Sequence, residues 1–465
     1  MNYKLRLALT CILAVGANNA FGASLLEVYQ RAQQSDPTLR EADANRLATR
    51  EARPQAWASL LPQIDGQVGV SRTFANSKGS SPRQIDLGPG GLITTTGETD
   101  SRRDPFGWSI SLRSTVFSWA KWAALDRSKS QVAQAEVNYQ VAQQDLVLRV
   151  AQRYFNVLAA KDTLDANNAA AEAFSRQLEQ FEKRFEVGLI AITDVQEARA
   201  ERDRTSADVI SAKRNLATTI ELLRELTGDD VSELQAPGDD LPLKTPDPAS
   251  EDSWVKGSLE RNLTLISTRL SADIADANVS VARAGHAPTL DLSATHSDND
   301  TDSYSRVTTD NPDVFLRGNS NSLAVQDSVS LTLNVPIFSS GATQSLVRQS
   351  VYQRRAAVER VERSTRETER AARDNYLGVI SNISRVQALK QAFESSRTAI
   401  QATEAGFEVG TRTTVDVLQS RRTLYTAETA YKRSRYDYIL SVIQLELAAG
   451  TLTDQDVSEI SSWMK

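Results

Sequence analysis

Residues able to do covalent or metal chemistry are scarce in this chain. It has two histidines, His286 and His296, and one cysteine, Cys11. Neither histidine lies in a nucleophile motif, and no Walker A sequence is present. They read as a loop residue and a strand residue. No catalytic residue, metal site or cofactor is expected, and energy-driven work would have to be powered by another protein. The chemistry that remains is electrostatic. Arg412, Asp416 and Asp194 lie just after two glycines, Gly410 and Gly188. Gly410 suits the position after a helix, where a left-handed backbone is needed. Thr413 and Asp416 are three apart at a helix start, the spacing of a capping box. A carboxylate there stabilises a helix N-terminus, and the same reading applies to Asp194.

The two glycine turns belong to a duplication. Phe185-Glu186-Val187-Gly188 recurs as Phe407-Glu408-Val409-Gly410. Asp194-Val195 recurs as Asp416-Val417, and Gly228 as Gly450. Upstream, Val116-Phe117-Ser118 matches Ile337-Phe338-Ser339, and Leu61-Pro62-Gln63-Ile64-Asp65 matches Ala287-Pro288-Thr289-Leu290-Asp291. The anchors keep their order at a spacing of about 220 residues, so the chain is two copies of one unit. The expected organisation is a signal peptide (1–22), a first repeat (23–228), a connector (229–252), a second repeat (253–450) and a C-terminal tail (451–465). The connector is expected because Pro237, Pro242, Pro246 and Pro248 interrupt it.

Composition narrows the class. Net charge is −6, hydrophobic residues make up 40%, and Gly (21) and Pro (13) are few. Such a chain favours long helices and argues against a nucleic-acid partner, which would need a basic face. Lys4 and Arg6 precede the apolar run Leu7–Val15, and Ala20-Phe21-Gly22 offers small residues for cleavage after Gly22 or Ala23. This predicts export. Cys11 lies inside that segment, so no disulfide is expected in the mature chain.

Each copy reads helix, strand, strand, helix, helix. Ile64, Val68, Val70 and Phe74 alternate with polar residues, as do Trp108, Ile110, Leu112 and Val116. Leu290, Leu292 and Ala294 do the same, and so do Val329, Leu331, Leu333 and Val335. Strands are expected at about 62–74, 107–117, 288–296 and 327–337, with polar loops at 75–104 and 297–322. Long helices are expected at about 118–187 and 339–409. The first has no Gly or Pro over about 70 residues, roughly 100 Å if helical. Second helices at about 191–227 and 413–449 return antiparallel. Four strands with one apolar and one polar face suit an outer-membrane barrel but cannot close one. Their edges would strand backbone groups in lipid, so the chain must associate, and three copies leave room for a passage.

Phe185–Gly228 and Phe407–Leu452, with LLPQIDG (Leu60–Gly66), APTLDLSA (Ala287–Ala294) and NVPIFSSG (Asn334–Gly341), resemble the signatures of the TolC family of outer-membrane efflux proteins. The resemblance runs over the whole mature chain. It implies an α+β membrane protein: a homotrimer whose twelve-stranded barrel continues into a periplasmic helical barrel, with a small mixed equatorial region. It implies an exit duct for drug efflux and type I secretion, opened by recruitment to partners. Those partners are periplasmic adaptor (membrane fusion) proteins and inner-membrane RND, ABC or MFS pumps. Outer-membrane lipid would surround the barrel, and exported small molecules and proteins would pass through it.

Residue roles follow from the same resemblance. The tip turns at Val187, Gly188, Val409 and Gly410 would dock adaptors. Arg412 would pair with Asp194 to lock the closed entrance, and Gln177 with Glu404 would form a second link. A family tyrosine that also reaches the Asp194 position is Phe407 here, so one bond of the lock is absent. The family's entrance acids form a pair in VDVLD. This sequence reads VDVLQ, keeping Asp416 but placing Gln419 at the second position.

Overall fold

The computed structural model describes residues 22–86, 92–231, 233–238, 241–308 and 315–464. The expected signal peptide therefore lies, apart from Gly22, outside the described residues. The chain opens with helices α1 (Leu25–Ser35), α2 (Pro37–Arg50) and α3 (Ala52–Ala58). Strands β1 (Gln63–Val70), β2 (Thr73–Asp86) and β3 (Leu92–Ser118) follow, then helices α4 (Trp119–Glu186) and α5 (Ile192–Thr227). The second copy supplies α6 (Glu251–Arg261), α7 (Leu263–Arg283), β4 (Thr289–Thr308), β5 (Phe315–Asn334), α8 (Ala342–Glu408) and α9 (Thr414–Ala449). Helix α10 (Asp454–Ser462) closes the chain.

These elements divide into two units. One takes in the chain up to Thr49, Ala133–Ala272 and Ala356 onward; the other is Arg50–Val132 with Asp273–Arg355.

The second of these holds the sheet, ordered β1-β3-β4-β5 and antiparallel throughout. β1 and β2 both pair with β3, Val70 opposite Phe106 and Thr73 opposite Arg103, so they form one lane. The sheet thus has four lanes, with β1–β2 and β5 as free edges. The register sorts its faces. Ile64, Leu112, Ala294 and Val329 lie side by side, as do Val68, Trp108, Asp298 and Val325. The opposite face carries Asp65, Ser111, Thr295 and Ser328. Apolar side chains on the first face stay exposed, Val68 at 73% and Val329 at 78%.

The segments expected as loops, 75–104 and 297–322, are largely strand. β2 and β3 pair well beyond Phe74, and β4 and β5 pair from Thr289–Asn334 out to Thr308–Phe315. Hydrophobic alternation fades there because both faces are polar. The ladder continues because every backbone N–H and C=O still needs a partner. Arg72 grips Asp104 across the pair at 2.7 Å, and Asn76 bonds Glu98 and Asp100.

β3 passes into α4 without a loop. Lys121 Nζ donates to Ser59 O (2.6 Å) and Thr115 Oγ1 (2.7 Å), tying helix, strand and the end of α3 together. Trp57 and Trp122 meet edge to face beside this junction, 6.3 Å between ring centres, both half exposed.

The first unit is helical and holds the main core. α4 carries Tyr154 and Phe155, each fully buried; Phe155 stacks on Tyr436 of α9 at 5.6 Å. Tyr436 donates to Asp162 Oδ2 at 2.5 Å, and Tyr154 to Gln235 O at 2.7 Å. Burial raises both phenols well above their ordinary range, so they stay protonated donors. Tyr154 thereby pins the connector. Ala23 forms a parallel bridge with Leu234, and Pro237 an antiparallel one with Met464. The start of the described chain, the connector and the C-terminal tail therefore share one small extended patch.

Gly450 ends α9 with φ of 72°, and a Cβ there would fall 2.3 Å from Arg261 O. Only glycine allows both the left-handed turn and this close approach.

Candidate functional site

The first unit also holds both glycine turns. α4 ends in Lys183 and Arg184, cations suited to a helix C-terminus. Gly188 then takes φ of 74°; its N–H bonds Phe185 O, and that of Leu189 bonds Arg184 O. α8 ends likewise at Gly410, φ 77°. Here Gly406 O gathers Thr411 N (2.8 Å), Thr411 Oγ1 (3.0 Å) and Arg412 N (3.2 Å). A Cβ on Gly406 would meet Arg412 Cγ at 2.9 Å, so this glycine makes room for the arginine stem.

Asp416 forms the capping box that its spacing predicts. Its Oδ2 accepts from Thr413 N and Thr413 Oγ1, both at 2.9 Å, and its own N–H donates to Thr413 Oγ1 at 3.3 Å. The Thr413 amide and hydroxyl hold its carboxyl below the usual range, with the Arg412 charge adding to them. Asp194 makes only half of this box, accepting from Ala191 N at 3.2 Å, since Ala191 has no side-chain oxygen. Gln419, a turn after Asp416, is exposed.

The structure does not join the expected lock partners within one chain. Arg412 and Asp194 form no ion pair, and Gln177, though buried, makes no hydrogen bond to Glu404. Glu404 instead pairs closely with Arg421 of α9, whose Nη1 also donates to Ala173 O at 3.3 Å. Phe407 lies against Phe181 of α4, ring centres 5.6 Å apart, with the Arg184 guanidinium 5.1 Å from the Phe407 centroid. Tyr425 donates to Ala169 O, and Arg422 faces Glu201 at 3.6 Å.

Thus α4–α5 and α8–α9 are tied by Arg421, Arg422, Tyr425 and Phe407. Sequence reading singled out only Phe407 among them. Beyond the turns, Val187 (69%), Leu189 (73%) and Val409 (75%) are open, an apolar rim left uncovered by the described residues.

With fold and turns described, the class can be stated. The profile of the outer membrane efflux protein family matches residues 28–229 and 254–451, once over each copy. The chain belongs to this family; it is an outer-membrane channel protein, not an enzyme. It is 34% identical to outer membrane protein TolC of Vibrio cholerae, covering 100% of this chain and 99% of that one. It is 36% identical to outer membrane protein TolC of Escherichia coli, covering 94% and 84%. Alkaline protease secretion protein AprF of Pseudomonas aeruginosa is 25% identical, covering 96% and 88%. The outer membrane protein VceC of Vibrio cholerae shares the fold, with a TM-score of 0.70 at 18% identity over 92% of this chain and 96% of that one.

Proposed function

We propose that three copies of the chain form one outer-membrane exit duct for small-molecule efflux and type I protein secretion. The observation that carries this reading is the sheet. It has two unpaired edges and a broad exposed apolar face, which lipid tolerates only in a closed barrel. Pairing β5 of one copy with the β1–β2 lane of the next makes a twelve-stranded barrel. Its interior is the Ser- and Thr-rich face, and it is wide enough for a passage. The long helices continue the duct into the periplasm.

Periplasmic adaptors then dock on the apolar rim around Val187 and Val409. Inner-membrane RND, ABC or MFS pumps supply the energy. Arg412 and Asp194 pair between helical hairpins when the entrance is closed. Gln177 and Glu404 form the second link, since the Glu404 carboxylate can accept from Gln177 while it pairs with Arg421. Asp416 lends the mouth its cation preference, weakened by Gln419.

The test is assembly and conductance together. The purified protein should run as a trimer in detergent and give discrete, cation-selective steps in planar bilayers. A stable monomer without conductance would defeat the proposal.

A further inference from the structure

A cavity of about 230 Å³ lies in the first unit, between the connector, α6, α8, α9 and α10. Tyr438, Trp254 and Trp463 contribute aromatic walls, and Val379 and Leu445 aliphatic ones. It is smaller than a drug-sized site, which runs to about 300–1,000 Å³, so it suits a single-ring molecule.

All but one of its charged groups are acids. The connector brings Lys244 and Asp247, α9 brings Glu446, and α10 brings Asp456 and Glu459; α6 and α8 line it with no charged group. Four of these charged groups, and Tyr438 with them, are already engaged or face solvent. Lys244 Nζ holds Glu459 at 2.9 Å and lies 5.9 Å from the Trp463 ring centre. Asp456 Oδ2 caps α10 through Thr453 N at 2.7 Å. Tyr438 OH is used by the connector, accepting from Lys244 N and donating to Lys244 O. Asp247 is exposed.

Glu446 is different. Its Oε2 is buried with no hydrogen-bond partner. It also sits in the last turn of α9, where the helix dipole disfavours a negative charge. We propose that this cavity binds a small aromatic or apolar organic cation, its ammonium or amidinium charge on Glu446 and its body between the tryptophans and Tyr438. Such a cation supplies both donors and charge to the orphan carboxyl, and the aromatic faces attract it further. The occupied cavity would fasten residues 244–247 to α9 and α10.

Burial, then repulsion from Asp456 and Glu459, pushes the Glu446 carboxyl up to about 8. The cation therefore competes with a proton, and affinity should rise with pH. The probe is benzamidine, with neutral benzamide as its control, titrated calorimetrically into the purified full chain in detergent. Between pH 6.5 and pH 8.5 benzamidine should tighten about twentyfold, in step with the ionised fraction of Glu446. Benzamide should bind more weakly and without pH dependence. Glu446→Gln should abolish the pH dependence while leaving assembly intact. Should that variant misassemble, the wild-type pH series and the benzamide comparison still decide. Equal binding of the two compounds, or benzamidine affinity unchanged with pH, overturns the proposal.

Discussion

Phe407 of α8 and Phe181 of α4 meet ring to ring, 5.6 Å between centres, at the base of the two glycine turns. This contact ties the end of one long helix to that of the other. Phe407→Ala removes an aromatic pair worth about 1 kcal/mol beyond its buried area. Single-channel recordings should show longer or larger openings with assembly intact. Phe407→Tyr keeps the ring and adds a hydroxyl, so it should lower open probability.

Arg412 and Asp194 test the closed entrance directly. Among the described residues of one chain, the arginine has no ion-pair partner and the aspartate accepts one backbone bond. Arg412→Ser should raise conductance and the passage of bulky antibiotics, at a cost to the closed state of about 2 kcal/mol. The exchange Arg412→Asp with Asp194→Arg should restore part of the closure. Wild-type conductance in Arg412→Ser would show that closure rests elsewhere, with Arg421 and Glu404 the next pair to change.

Asp416 caps α9, and one substitution separates that cap from the entrance role proposed for it. Its carboxylate caps α9 and stays ionised, so charge and cap are both present at neutral pH. Asp416→Asn keeps a capping oxygen but removes the charge. Helix content should hold while reversal-potential measurements show weaker cation selectivity. Gln419→Asp should strengthen that selectivity.

Asp36 anchors the first unit. It is 1% exposed, caps α2 through Leu39 N at 3.1 Å, and receives Arg149 Nη2 at 2.8 Å. Burial alone would raise its carboxyl, but the bond and charge of Arg149 and the amides of Leu39 and Thr38 outweigh it, leaving it below the ordinary range. Asp36→Ala should destabilise the protein by about 2–4 kcal/mol in urea unfolding. Arg149 keeps Asp145 at 2.7 Å, which limits the loss. The folded carboxyl titrates lower than the unfolded one. Its stabilisation is therefore complete above the unfolded value, about pH 4, and fades as pH falls through the folded value. Asp36→Asn should flatten that acid limb.

Glu446 gives the opposite slope. Its folded carboxyl titrates near 8, above the unfolded value, so its contribution is fullest below the unfolded value and is lost as pH rises towards 8. Unfolding midpoints followed from pH 5 to 9 should fall on the alkaline side. Glu446→Gln should remove that part of the decline, and saturating benzamidine should do the same for the wild-type chain.

Much of this architecture could be read from residue order. The recurring FEVG turns located both left-handed glycines, and alternation at Ile64–Val70 and Val329–Val335 gave the apolar sheet face. The upper ladders escaped notice because Ser, Thr, Asp and Asn occupy both faces there, leaving a period-two pattern with no contrast. Arg421 with Glu404 escaped for another reason. The pair joins separate helices, and helix-face spacing predicts only neighbours three or four apart. The cavity at Glu446 draws on three stretches distant in sequence, 244–254, Val379 and 438–463, so no local pattern marks it.

The two turns began as copies and have since diverged between the glycine and the aspartate. Where the first has Ile190 and Ala191, the second has Arg412 and Thr413. Ile190 packs against the cluster of Phe181, Leu178 and Val195, whereas Arg412 stays exposed. The first turn is thus packed into an apolar cluster, to which Phe407 of the second copy also contributes. Its sibling carries a hydrophilic end. Under the proposed function, duplication divides the labour, with one arm as fixed frame and the other as the part that partners move. Grafting Ile190-Ala191 onto positions 412–413 should turn the second arm into another frame, giving a channel that assembles but no longer responds to its partners.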